Sequence, residues 1–291
     1  MKKLGSYIAE LESKRKKLQT MSISIVGVYV IALVVSFFNL IIASGIAACG
    51  IAFYFFVFRH NKKLYEASYS ELNSMFGLGR LLDNFEYKKK GGLDYEELKN
   101  SNLVPIGGKE NNFLCRQYVS GIWKGIKCEL AEISAHYRYV TENFRDRYTF
   151  ISGTWIKAVL NNPSDNDFIV VHNSFLHPFV YANHYKTAGY RELETSKKVL
   201  GQEYLIYVRQ DAPRDYMPLN EDCIKKFIAL TEKINYALAF SVNGSNANIF
   251  LYRRYYTDKI LIKYEINEER LCLNRLPELE PILKLVRSCG K

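Results

Sequence analysis

Asp165, Asp167, His172, His177 and His184 are the one run in this chain where carboxylates and imidazoles gather. Such a set is what a metal-assisted or acid–base hydrolase would need. Metal sites, however, draw their ligands from short fixed spacings on one element, and these residues follow no such spacing. Asn161, Asn162, Pro163, Ser164 and Asn166 surround the two aspartates with turn formers, and an apolar run from Phe168 follows. A polar turn ahead of a strand, followed by surface histidines, accounts for the same residues. We therefore expect no catalytic residue, metal or cofactor, and keep these five as the candidates a membrane-attached hydrolase or metal-dependent enzyme would use.

Other chemistry is thinner still. Gly77-Leu78-Gly79-Arg80 and Gly107-Gly108-Lys109 lack the pattern and the strand-to-helix setting of a phosphate loop, and Gly-x-Ser-x-Gly and kinase signatures are absent. The six cysteines, Cys49, Cys115, Cys128, Cys223, Cys272 and Cys289, form no Cys-x-x-Cys pair and read as reduced cytosolic thiols. Tyrosine and arginine interleave in His136-Tyr137-Arg138-Tyr139 and Leu251-Tyr252-Arg253-Arg254-Tyr255-Tyr256. Single-strand binders stack bases on such residues, but cross-strand pairs in a sheet use the same types.

Charge decides against nucleic acid. The chain of 291 residues carries a net +10, and residues 1–63 hold nine Lys or Arg against two acids, a net +7. The other 228 residues hold 31 against 28, a net +3, too little for the concentrated positive face that backbone binding needs.

No charged residue or histidine occurs in the 41 residues from Leu18 to Phe58. One helix of that length would rise about 60 Å, roughly twice the hydrocarbon thickness of a bilayer, whereas two helices match it. Asn39 is the natural break, giving a transmembrane hairpin over 21–58 with spans 21–38 and 40–58. The first span has eleven Ile, Leu, Val or Phe residues, which favour insertion by about 3 to 7 kcal/mol. The second is rich in small residues, Ala43, Ser44, Gly45, Ala47, Ala48, Cys49, Gly50 and Ala52, a face that packs closely on the first span or joins a second copy in a homo-oligomer. Lys14, Arg15, Lys16 and Lys17 precede the hairpin, and Arg59, Lys62 and Lys63 follow it. These flanks put both termini on the cytoplasmic side of the cell membrane and make the seven residues contacts for anionic head groups.

Residues 1–20 form an amphipathic helix with Leu4, Ile8, Leu11 and Leu18 on one face, interrupted by Arg15. Residues 59–99 read as a membrane-proximal helical segment, with Tyr65, Tyr69, Leu72 and Phe76 as its stripe. Two chain ends leaving a tight hairpin emerge side by side, so the stripes should cover each other. From 100 to 291 the period becomes two, and strands are expected at Phe113–Val119, Lys127–Tyr137, Tyr148–Leu160, Phe168–His172, Tyr204–Arg209, Ala237–Val242 and Asn248–Tyr252. Asn243-Gly244 signals a hairpin between the last two. Asn220 caps a helix carrying Ile224, Phe227, Ile228, Thr231 and Ile234, and a second helix runs between Pro281 and Ser288. The class is α+β, an N-terminal transmembrane helical hairpin followed by a mostly antiparallel sheet domain with one or two helices.

The chain resembles an uncharacterised bacterial family of two-span membrane proteins whose C-terminal domain is of unknown function, numbered three-one-three-seven among such domains. The residues that carry the resemblance are Gly91-Gly92-Leu93-Asp94-Tyr95-Glu96-Glu97-Leu98 with Ser101 and Leu103, Gly121 to Gly125 running into Glu129 to Ser134, Phe150-Ile151-Ser152-Gly153-Thr154-Trp155, and Leu238 to Tyr252. The resemblance implies a membrane anchor and supplies no catalytic residues. The expected function is a cytoplasmic binding or scaffolding module held at the bilayer, with an unknown protein partner.

Overall fold

Asn39 ends one helix and begins another. α1 runs from Leu4 to Ser36, 33 residues, which is about 50 Å of helix. The Asn39 side chain then accepts hydrogen bonds from the backbone N–H groups of Ile41 (3.0 Å) and Ile42 (3.2 Å), capping α2 (Leu40–Phe53). A π turn, Tyr54–Phe58, carries the helix into α3 (Arg59–Asn73), and a second π turn, Ser74–Leu78, ends it. The computed structural model describes residues 4–106, 113–140, 146–175, 184–214, 216–253 and 262–289. The chain divides into two units, Met1–Gly77 with Asp258–Asn274, and Leu78–Thr257 with Arg275–Lys291.

In the first unit Leu11, Leu18, Tyr65 and Tyr69 are buried together, with Leu4, Ile8, Leu72 and Phe76 packed around them. Both stripes read from the sequence are there. So are Ile266 and Leu271, which belong to a returning segment that includes the short helix α7 (Glu268–Leu271). The span 100–291 is thus not one continuous domain: residues 258–274 belong with the helices.

Among the described residues the second unit holds an antiparallel sheet of seven strands, β1 (Asp83–Lys90), β2 (Leu114–Trp123), β3 (Ile126–Val140), β4 (Asp146–His172), β5 (Tyr190–Glu192), β6 (Tyr204–Arg209) and β7 (Leu238–Leu251). β1 lies inside the segment expected to be helical; its alternation over 83–90 is mostly exposed, so it carries little apolar period to betray it. β4 is the centre. It pairs with β3 along residues 146–158, with β6 along 168–172, and with β7 on its other edge from Thr154 to Val171.

Two turn signals proved to be bulges. Residues 161–167 do not separate two strands, and Asn243-Gly244 does not reverse the chain; each lies within a continuous strand, and Ser164 pairs with Gly244. From Val159 to Phe168 β4 advances nine residues while β7 moves four, from Asn246 to Val242, so β4 carries the excess and bends. Gly244 uses its positive φ of 55° at this bulge.

The sheet buries both faces. One packs Ile156, Val170, Ile206 and Phe240 against α6 (Glu221–Thr231) and α8 (Leu279–Cys289). The other packs Trp155, Ile169, Val171 and Tyr207 under Leu98, Leu103, Val104 and Tyr185. Asn220 caps α6 as expected, accepting from Cys223 N–H at 2.8 Å. Two shorter helices, α4 (Tyr95–Asn100) and α5 (Ser196–Leu200), add to the one or two expected; six and five residues are too few to show a helical period.

Gly153 faces the β7 backbone, where an added Cβ would collide with the Leu251 carbonyl and the Phe250 ring. Gly153→Ala is expected to destabilise the protein by about 1–3 kcal/mol, as overpacking does, read as a lowered thermal midpoint. A midpoint equal to wild type would show that β4 and β7 separate here without cost.

Candidate functional site

The hairpin surface is the most unusual feature of the described residues. Phe37, Phe38, Leu40 and Ile41 are 82%, 87%, 75% and 83% exposed, and Ile23, Val26, Val30, Ile31, Leu33 and Val34 are exposed with them. Contiguous apolar exposure on this scale marks an interaction surface rather than a water-facing one. α1 and the helix from Leu40 to Leu78 are each long and apolar enough to cross a membrane, and only 17% and 11% of their most apolar windows are buried. A core helix of the same composition would be covered.

The two helices close on each other through small residues. Ala32 and Ala43 are buried, and a Cβ on Gly50 would stand 3.1 Å from Val28 Cγ1 and 3.5 Å from the Tyr29 ring. Ala43 and Gly50 of the small-residue face are therefore taken up within the hairpin. Ser44, Gly45, Ala48, Cys49 and Ala52 remain exposed.

Of the seven basic residues expected at head groups, Arg15 does not face outward. It is buried, with 3% exposure. Its Nε donates to Glu12 Oε2 at 2.7 Å and its Nη2 to Oε1 at 2.5 Å, while Nη1 donates to Gln19 Oε1 at 3.1 Å and to the Ile262 carbonyl at 2.7 Å. Glu12 Oε2 also accepts from Ile266 N–H at 3.0 Å. Arg15 thus holds the returning segment and cannot also reach a head group. α3 grips the same segment: Asn73 Nδ2 donates to the carbonyls of Leu271 (2.8 Å) and Leu273 (3.1 Å), and Tyr69 Oη to that of Arg270 (3.1 Å). Arg15 interrupts the apolar stripe because it satisfies backbone groups that an apolar residue would leave unpaired.

Lys14, Lys16, Lys17 and Lys63 are exposed, as is Arg59, whose guanidinium lies 6.0 Å from the Phe55 ring centroid; Lys62 is half-buried, 3.8 Å from Glu66. Counting from Asn39 at the helical rise, Lys17 and Arg59 stand about 33 and 30 Å away, one hydrocarbon thickness. Lys14, Lys17 and Leu18 of α1 face Asn61, Leu64 and Tyr65 of α3 across a cleft of about 210 Å³. Burial pushes the Tyr65 hydroxyl up to about 12.

The carboxylates and imidazoles do not converge. Among the described residues no three of His, Cys, Asp and Glu come together as a metal site. Asp167 Oδ2 accepts from Arg209 Nε (3.1 Å) and Nη2 (2.9 Å), and Oδ1 from Gly244 N–H (3.3 Å), so it ties the bulge of β7 to β6. His184 Nε2 lies 3.2 Å from the Asn102 carbonyl, to which it must donate, and burial lowers its pKa and keeps it neutral. His172 Nδ1 accepts from Ser174 N–H at 3.0 Å and lies 2.7 Å from Ser174 Oγ, while Nε2 is 3.6 Å from Glu203 Oε2. His177 and the side chain of Asp165 fall outside the described residues. So do Arg254 to Tyr256 and the side chains of His136 to Tyr139, from the two runs where tyrosine and arginine interleave.

The reading of six thiols fails for two cysteines. Cys223, in the first turn of α6, and Cys289, at the end of α8, form a disulfide with Cα atoms 5.7 Å apart. The cause is tertiary: α6 and α8 pack side by side, and Asn220 Nδ2 donates to the Ser288 carbonyl at 2.9 Å, bringing together residues 66 apart in sequence. Cys49, Cys115, Cys128 and Cys272 are free. Burial pushes the Cys128 thiol up to about 12, which suits a core residue better than a nucleophile.

These features define an α+β protein with two apolar helices of membrane-crossing length. No family model matches the chain, and no curated protein matches it. Among solved structures, the mycobacterial trehalose monomycolate transport factor A is similar over 76% of this chain and 92% of its own, with 9% identity and a TM-score of 0.43. At that distance the likeness adds nothing to the fold read from the strands themselves.

The Glu12–Arg15 pair generates a stability signature. Its carboxyl is held below the ordinary 4.5 chiefly by the Arg15 guanidinium, and further by the Ile266 N–H. Ionised Glu12 therefore stabilises the fold above that ordinary value, and the contribution is lost as pH falls through the lowered one. Glu12→Gln leaves Arg15 buried without its counter-charge and is expected to cost about 3–5 kcal/mol at neutral pH and to flatten the acid limb of a thermal-unfolding series. An unchanged acid limb would show that the pair does not hold the segment.

Proposed function

We propose that this chain is a membrane-anchored protein of the cell membrane whose α+β domain serves as a non-catalytic binding or scaffolding module beside the bilayer. The observation that carries the reading is the exposed apolar surface of the helical hairpin. Tethering acts by concentration: a domain confined near the bilayer meets a partner or lipid at far higher effective concentration than a free one. Lys14, Lys16, Lys17, Arg59, Lys62 and Lys63 then border the membrane and add about 1 kcal/mol each against anionic lipid. Their position at both ends of the hairpin, with no charge at Phe37-Phe38-Asn39, supports two spans with both termini cytoplasmic. The Cys223–Cys289 disulfide weighs against that orientation, since cytosolic thiols are kept reduced.

A second reading, a membrane-attached hydrolase, has one observation in its favour. His172 has Ser174 Oγ 2.7 Å from Nδ1 and the exposed Glu203 carboxylate 3.6 Å from Nε2, a serine, an imidazole and a carboxylate near one another. Against it, the Nδ1 atom that would take the serine proton already accepts the Ser174 backbone N–H, an arrangement that a two-residue turn makes by itself. On the first reading the purified full-length protein turns over no ester in a panel of acyl and phosphoryl substrates. Turnover that disappears in both Ser174→Ala and His172→Ala would establish the second.

Alkaline carbonate extraction of cells expressing the full chain is expected to leave it in the membrane pellet, with a reporter fused after Lys291 shielded from externally added protease. Recovery in the soluble fraction overturns the anchor, and digestion of the reporter in intact cells overturns the orientation.

A further inference from the structure

We propose that the cleft between α1 and α3 binds one anionic phospholipid by its phosphate, with Lys14 and Lys17 as the cationic contacts and the Tyr65 hydroxyl as a donor. The inference rests on the membrane anchor proposed above and gives it a ligand. Lys14, Lys17 and Leu18 on one helix, and Asn61, Leu64 and Tyr65 on the other, each follow the i, i+3, i+4 spacing of one helix face, and the two faces line a single cleft. Its depth suits a head group, because Lys17 stands about one hydrocarbon thickness from the Asn39 turn.

The lining divides as a lipid divides. Lys14 and Lys17 are exposed at the rim, and Leu18 lies buried within, beside Leu64. The Lys14 ammonium is 2.9 Å from Glu10 and 3.5 Å from Ser68 Oγ, an exposed pair that a phosphate can replace at little cost. Tyr65 is 1% exposed, yet its hydroxyl has no hydrogen-bond partner among the described residues. Buried hydroxyls are rarely left so, and Tyr65 belongs to the lining of this mostly apolar cleft, so its hydroxyl is the donor the proposal gives to a phosphate that enters there. Because burial raises its pKa, the hydroxyl stays protonated and able to donate. Asn61 is held by its own helix, Nδ2 donating to the Val57 carbonyl at 2.8 Å, which leaves its carbonyl oxygen as a possible acceptor for a head-group hydroxyl. At about 210 Å³ the cleft is smaller than the ~300–1,000 Å³ of small-molecule sites, a size for a phosphate and its glycerol rather than a whole soluble ligand. Free phosphate offers the same oxygens but nothing for Leu18 and Leu64, so the lipid is the favoured source.

The test uses the full-length chain in nanodiscs of phosphatidylcholine, with and without phosphatidylglycerol, released into detergent and weighed by native mass spectrometry. One phosphatidylglycerol per chain is expected to be retained, and no phosphatidylcholine. Lys14→Gln with Lys17→Gln should lower retention about 30-fold, the effect of two lysines at an anionic surface. Tyr65→Phe should lower it about tenfold, the effect of one donor to a charged group, while leaving the thermal midpoint equal or higher, since it removes a buried unpaired hydroxyl. Lys16→Gln with Lys63→Gln removes the same charge beside the cleft and should lower retention far less. Equal losses in the two lysine pairs, retention of phosphatidylcholine to the same extent, an unaffected Tyr65→Phe, or displacement of the lipid by millimolar inorganic phosphate would each overturn the site. A chain that never enters nanodiscs and is extracted by carbonate would instead overturn the anchor.

Discussion

Forty-one consecutive residues without a charged side chain or a histidine impose the constraint from which the rest of this protein follows. Such a segment gains several kcal/mol by leaving water, but only if its backbone groups are paired within it, and a helix is the one local structure that does so. The helix folds back at Asn39, whose side chain supplies the cap that lets it, and each half is long enough to cross a bilayer. Once the chain reverses, its two ends are committed to neighbouring positions. The basic residues at those ends come to the same level, and the helices beyond them must pack.

What packs there is a shared apolar core with a buried ion pair inside it. Arg15 and Glu12 are a turn apart on α1, yet their value lies in the backbone groups of Ile262 and Ile266, in a segment 247 and 254 residues downstream of them. A charged pair is a costly way to fill such a position. It is retained here because it meets a carbonyl and an N–H with complementary charges, which a pair of leucines would leave unmet. Asn73 and Tyr69 do the same from α3. Four polar side chains on two helices thus fix one irregular segment, and Gly77 leaves room for it, because a Cβ there would come within 2.7 Å of the Leu273 carbonyl.

Much of this was legible in the sequence, and the illegible parts share one cause. The hairpin, the Asn39 break, the facing stripes and the Asn220 cap are local: residue type and period within about ten positions state them. The bulges of β4 and β7 were misread because Asn-Gly and Asn-Asn-Pro carry the same local chemistry in a reversal and in a bulge. Only the pairing of Ser164 with Gly244 distinguishes the two. Arg15 was misread for a similar reason, since a lysine-rich flank looks the same whether each charge faces lipid or protein. Asp167, a candidate ligand by type, is engaged by Arg209 and the Gly244 N–H, neither of them near it in sequence.

Composition and period by themselves determined that the chain begins with an uncharged helical hairpin, is basic on either side of it and continues as an α+β sheet domain, because hydrophobic transfer and helix capping depend on neighbours a few residues away. Tertiary structure alone decided that residues 258–274 return to the helices, that Cys223 meets Cys289, that Arg15 is buried and that Lys14 and Lys17 face Tyr65 across a cleft. Each of these joins residues separated by tens to hundreds of positions. The free energy of such a contact lies in the closure of the chain around it, and no local window contains that information.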